Sequence, residues 1–113
     1  MAKTYKIAVI TGDGIGPEIT EAAMFVLNGT GLQIEFTKVA AGLNAWETYG
    51  NQLPDETIRI IKESDACLKG PTQTPPGPGS FKSATVTLRQ ILDLYANVRP
   101  VKNHPGVPSV HKG

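Results

Sequence analysis

A chain of 113 residues with a formal net charge of +1 and 40% apolar residues has room for one small domain, one that buries about two thirds of the surface its unfolded chain exposes. Its near-neutral charge and lack of a basic patch with interleaved aromatics point to neither nucleic acid nor a membrane surface, and no apolar run approaches the ~20 residues that span a bilayer. The start, MAKTYKIAV, lacks the long apolar core of a secretory signal, so a cytoplasmic protein is expected. Cys67 is the single cysteine. It excludes an internal disulfide and a cysteine zinc cluster, and in its apolar, strand-like run it reads as a small buried hydrophobe rather than a nucleophile.

Strand and helix signals alternate along the chain, the pattern of an α/β layer architecture. Residues 5–11 read as a strand. Gly12, Gly14 and Gly16 form a flexible turn, and Pro17 suits the first turn of a helix, where its missing N–H costs nothing. Ile19, Ala22, Ala23, Val26 and Leu27 recur at helical spacing and predict the core face of that helix, with Asn28 and Gly29 as its stop. Residues 32–39 alternate Ile34 and Phe36 with Glu35 and Lys38, a second strand. A short helix is expected over 44–49, broken by Gly50 and Asn51. Pro54, Asp55 and Glu56 open another helix that Ile58 and Ile61 carry to about Glu63, and residues 66–68 read as a third strand. The stretch GPTQTPPGPG, residues 70–79, holds too much proline and glycine for helix or sheet. It predicts a loop at the carboxyl end of a strand, where open α/β sheets bind ligands; the competing reading is a flexible connector.

The GDGIG turn lies where a dinucleotide or phosphate loop would lie, but its spacing is G-x-G-x-G, not G-x-G-x-x-G. A P-loop needs Gly-Lys-Ser/Thr; here Gly16 is followed by Pro17 and Glu18, whose carboxylate would repel phosphate. An NTPase is rejected on these grounds.

Residues 83–100, SATVTLRQILDLYANVRP, carry the clearest chemistry. Leu88, Ile91, Leu92 and Tyr95 fall at helical spacing, Ser83 stands near the helix start, and Arg89 lies off the apolar stripe. Guanidinium groups match carboxylates and stay charged at any working pH, so Arg89 and Arg99 could grip two acid groups of one small molecule. The competing reading of either arginine alone is a solvated helix face.

Three phrases, LRQILDLYANVRP, ITGDGIGPEI at residues 10–19 and LKGP at 68–71, together resemble the decarboxylating dehydrogenases of isocitrate, homoisocitrate and 3-isopropylmalate. The resemblance runs from the first strand almost to the last residue and implies an α/β, isopropylmalate dehydrogenase-like layered fold. Members of that family are several times longer, so the chain is expected to be the N-terminal part of the large domain, over residues 1–94, with 95–113 starting the crossover strand into a small domain. Such a piece is expected to be inactive alone, with open sheet edges and poor solubility or self-association. The polar tail NHPGVPSVHKG shows no packing face.

By the same resemblance Ser83, Thr85, Arg89 and Arg99 are substrate-binding. Ser83 would donate to a distal carboxylate and the arginines would bind carboxylates, including the one lost as carbon dioxide. Thr85 stands where the isocitrate branch carries asparagine, keeping a donor but shortening its reach. Polar Ser83 and Thr85 argue against an isopropyl group, so isocitrate leads and homoisocitrate follows. Ile15 would be an apolar contact for the adenosine of NAD or NADP with Pro71 nearby, and Lys69 and Thr74 would line the nicotinamide and substrate region. The resemblance further implies Mg2+ or Mn2+, with metal ligands and catalytic groups beyond this chain, and a homodimeric complete enzyme. Two alternatives stay open: a short non-catalytic protein that binds a tricarboxylate or docks onto a complete subunit, and a decayed copy without a ligand. His104 and His111 read as solvated, Trp46 and Tyr49 as packing anchors, and Asp65 and Asp93 as single carboxylates without readable partners.

Overall fold

The computed structural model describes residues 3–110. Three parallel strands, β1 (Thr4–Ile10), β2 (Gln33–Val39) and β3 (Ala66–Lys69), form a sheet in the order β2-β1-β3. Helix α1 (Gly16–Asn28) connects β1 to β2, and α2 (Leu43–Tyr49) and α3 (Asp55–Lys62) connect β2 to β3. Helix α4 (Ala84–Ile91) follows the long loop after β3. No helix among the described residues is long and apolar enough to cross a membrane.

The central strand reads IAVI because it is covered on both faces; Ala8, Val9 and Ile10 are essentially inaccessible. Ala8 and Ile10 join Val39, Ala41, Leu53, Ile61, Ala84 and Leu88 in one core cluster, while Val9 alternates to the opposite face. In register, Ile10 pairs with Val39 on one side and with Lys69 on the other. All three strands therefore end at one level, and the loops that follow them share one end of the sheet.

Helix α1 occupies its expected place but turns a different face inward. Gly16, Thr20 and Met24 are buried, whereas Ile19, Ala22 and Val26 of the expected core face are exposed and only Ala23 and Leu27 are half-buried. Close packing at the helix start sets this rotation, since a Cβ on Gly16 would stand 2.1 Å from the Thr11 carbonyl oxygen. Thr20 can face inward because its hydroxyl donates to the Gly16 carbonyl at 2.8 Å, which removes the cost of burying it.

Helix α3 follows the expected charge pattern, with Asp55 and Glu56 in its first turn and Arg59 and Lys62 in its last, each sign on the favourable end of the helix dipole. Asp65 accepts from the Lys6 amide and the Lys3 ammonium, both at 2.9 Å. Cys67 is half-buried against the core, and burial pushes its thiol pKa up, as a packing cysteine requires. Trp46 stacks on Phe81 with ring centroids 4.9 Å apart, whereas Tyr49 is largely exposed. His104 is exposed; His111 lies outside the described residues.

Helix α4 stops earlier than the apolar spacing predicts. Asp93 adopts φ 50°, the Asp93 amide donates to the Gln90 carbonyl, and the Leu94 amide reaches back to the Arg89 carbonyl at 3.1 Å. That pair of bonds is a left-handed closure, which Asp tolerates better than most residues. Tyr95 therefore lies beyond the helix and is fully exposed. Residues 95–110 form no helix or strand.

Candidate active site

The loops leaving β1, β2 and β3 meet at the carboxyl ends of the strands, and a buried carboxylate ties them together. Asp13, only 3% exposed, accepts the Leu43 amide at 2.9 Å and the Gln73 amide at 2.7 Å on Oδ2, and the Asn44 amide at 2.8 Å on Oδ1. Its own amide donates to the Pro71 carbonyl at 2.8 Å. One side chain thus caps α2 from a distance and anchors the loop of residues 70–79. The glycines around it are dictated by packing. Gly12, at φ 75°, would place a Cβ 2.0 Å from the Pro71 carbonyl oxygen, and Gly42, at φ 95°, would place one 2.2 Å from Asp13 Oδ2. The GDGIG turn is therefore filled by protein backbone at Gly12, while Gly14 and the side chain of Ile15 face solvent.

Asp13, Gly42 and Thr72 are the site residues that sequence reasoning missed. One signal was available: α2 begins after Gly42 with no Ser, Thr, Asp or Asn in the capping position, and its unpaired N–H groups had to find a partner elsewhere in the chain.

Ser83 is the N-cap of α4, its oxygen accepting the Val86 amide at 3.5 Å, so its own proton remains free to donate. Thr85, half-buried, shares a hydrogen bond of 2.9 Å with Thr72 across the gap between the loop and α4. Arg89 follows Thr85 by one turn, on the same side of the helix. The Arg89 guanidinium is exposed and forms no hydrogen bond or ion pair among the described residues. Lys69, at the end of β3, donates to the Gly70 carbonyl at 2.7 Å. Its partial burial, and next the Arg89 charge, hold its pKa below the ordinary lysine value.

Arg99 is not brought to this cluster. It is exposed and donates from Nε to Asn97 at 3.3 Å. A concavity of about 400 Å³ joins Arg89 to residues 94–98 and stops one residue short of it. Thr74 and Pro71 are exposed on the same loop as Thr72. A separate hollow of about 450 Å³ near Lys38 and Tyr49 carries Asp55 and Glu56 on its wall, a poor environment for an anion. No group of three or more His, Cys, Asp or Glu side chains among the described residues could hold a metal ion.

Fold and site together define an α/β protein with a cationic, hydroxyl-bearing cluster near the carboxyl ends of parallel strands. The sequence pattern of the isocitrate/isopropylmalate dehydrogenases matches residues 6–112, and the chain belongs to that family. It is 49% identical over 107 residues to the isocitrate dehydrogenase (NADP) of Archaeoglobus fulgidus, an alignment covering 91% of this chain and 26% of that protein. The isocitrate/homoisocitrate dehydrogenase of Thermus thermophilus is 45% identical over 113 residues, covering 96% of this chain and 33% of its own. Among solved structures, the isocitrate dehydrogenase of Methylococcus capsulatus superposes with a TM-score of 0.76 at 47% identity, over 80% of this chain and 26% of that one. The chain thus spans about a quarter to a third of the length of the relatives it matches, and its fold corresponds to their N-terminal part.

Proposed function

We propose that the chain is the N-terminal part of a cytoplasmic, NAD- or NADP-dependent decarboxylating dehydrogenase acting on isocitrate, or on homoisocitrate as the longer homologue. The observation that carries this reading is the neighbouring Lys69 and Arg89 charges, neither in a salt bridge among the described residues and offset at Lys69 by the more distant Asp13 carboxylate, beside the hydroxyls of Ser83 and Thr85. A ligand carboxylate would supply the missing negative charge. Arg89 would hold it through paired N–H donors, Ser83 would donate its free proton to a distal carboxylate, and the pKa of Lys69 would rise part of the way toward normal as the anion offset the repulsion from Arg89, burial continuing to hold it down. Arg99 joins the substrate set only if residues 95–99 fold toward Arg89.

Ile15 and Pro71 would contact the adenosine of the dinucleotide, with Lys69 and Thr74 toward its nicotinamide. That cofactor supplies the hydride acceptor for the 2-hydroxyl carbon. The described residues orient carboxylates and offer protons from hydroxyls. No divalent-metal ligand and no acid or base for the carbon chemistry is assigned to them. The complete protein would work as a homodimer.

Calorimetric titration of isocitrate into the natural protein tests this reading. Saturable binding weakened at least about tenfold by Arg89→Ala is expected for the loss of a charge-assisted pair. Binding that Arg89→Ala leaves unchanged would refute it.

A further inference from the structure

We propose that Thr72 is a positioning residue that aims the hydroxyl of Thr85 at a substrate carboxylate, making the pair a two-hydroxyl donor relay. This inference rests on the reading of Thr85 as a substrate residue. Each threonine hydroxyl has one hydrogen to donate and lone pairs to accept with. The two oxygens lie 2.9 Å apart and both side chains are half-buried, so one of them gives its hydrogen to the other. A carboxylate only accepts. Once one binds, the hydrogen of Thr85 must turn to it, and the bond between the threonines must be made by the hydrogen of Thr72. The order is then Thr72 to Thr85 to carboxylate, with each donor polarising the next.

Thr72 is held firmly enough for this. The following amide, of Gln73, is bound by the buried Asp13 carboxylate at 2.7 Å. A Cβ on Gly42 would lie only 3.1 Å from Thr72 Cβ, so the α2 loop closes against this side chain. Lys69, Thr72 and Thr85 border one small closed void at the edge of the core, with Ile10 and Leu88 on its other walls; the void admits no ligand, but it makes the threonine pair a neighbour of the cation expected to hold one. A valine at position 72 would fill the same space, leave Thr85 without its partner and let the Thr85 hydroxyl choose its own rotamer.

The test is equilibrium titration of isocitrate into the intact natural protein carrying Thr72→Val, Thr85→Val, both together, or Thr72→Ser, with NAD or NADP titrated in parallel. Each valine should weaken isocitrate about fivefold to tenfold. The double variant should be no weaker than Thr85→Val, because Thr72 acts through Thr85. Thr72→Ser should stay within about twofold of the parent, keeping the donor, and dinucleotide affinity should be unchanged. The proposal is overturned if Thr72→Val leaves isocitrate affinity intact, if the two losses multiply, or if dinucleotide affinity falls equally, which would mean Thr72 merely braces the loop. Arg89→Ala, titrated alongside, separates the two levels. If it has no effect, the substrate-site reading itself fails; if isocitrate depends on Arg89 and not on Thr72, only the relay fails. A parent protein that does not bind isocitrate overturns both.

Discussion

Replacing Asp13 by asparagine keeps the shape of the side chain and removes its charge, so it isolates what the buried carboxylate contributes. Three backbone amides converge on it, two on Oδ2 and one on Oδ1. The amide has a single oxygen. Set in the Oδ2 position, that oxygen keeps Leu43 and Gln73, while the new NH2 faces the Asn44 amide donor to donor. Losing one hydrogen bond to a charged group costs about 1.5–3 kcal/mol, and turning two others from charged to neutral costs roughly 0.5 kcal/mol each. We expect Asp13→Asn to destabilise the chain by about 2.5–4 kcal/mol, a large part of the ~5–15 kcal/mol that holds a typical domain together. Urea unfolding with an unchanged slope measures it, and amide exchange at Asn44 and Gln73 should accelerate more than at the central strand. A loss below about 0.5 kcal/mol, with exchange at those amides unaltered, would show that Asp13 does not join the three loops.

The same reasoning extends to neighbouring groups. Gly12→Ala forces a side chain onto the Pro71 carbonyl at a positive φ; it should destabilise by more than about 2 kcal/mol, read as a fall in urea midpoint, whereas Gly50→Ala, which meets nothing, should cost only the strain of its left-handed backbone. The Asp65 carboxyl is held below its ordinary value of 3.8, first by the Lys6 amide and then by Lys3. Its stabilisation is therefore complete above that value and lost as pH falls through the lower folded pKa, so Asp65→Asn should flatten the acid limb of the stability curve below about pH 4. Arg89→Gln should raise the pKa of Lys69 only part of the way to normal, because burial is the larger cause and the guanidinium the smaller. An NMR titration of the Lys69 side chain checks this, and a full return to the ordinary value would assign the whole shift to Arg89.

The elements were legible because each has a local cause. Period-two alternation marks β2, proline and acidic residues open α3, Gly50 closes α2, and the proline-glycine run excludes regular structure over 70–79. What escaped was whatever depended on contacts between distant segments. The inward face of α1 was misread because packing at Gly16 turns the helix and a threonine hydroxyl, bonded to its own backbone, passes for core. The end of α4 could not be placed from its apolar series, which continues at helical spacing to Tyr95, because an aspartate in a left-handed conformation closes the helix first. Near the candidate site, the places of Ser83 at the start of α4 and Arg89 on it were legible from the helical spacing, but the buried Asp13 was hidden among the glycines of its own turn. Thr72 acquires meaning only through Thr85, thirteen residues along the chain.

Turnover tests the central claim most directly: the natural protein, its intact mass determined in the same preparation, is given isocitrate, Mg2+ and NAD or NADP, and reduced nicotinamide and carbon dioxide are measured together. The account predicts equal amounts of the two, dependent on isocitrate and abolished by Arg89→Ala. Reduction without carbon dioxide, or turnover indifferent to Arg89, would contradict it.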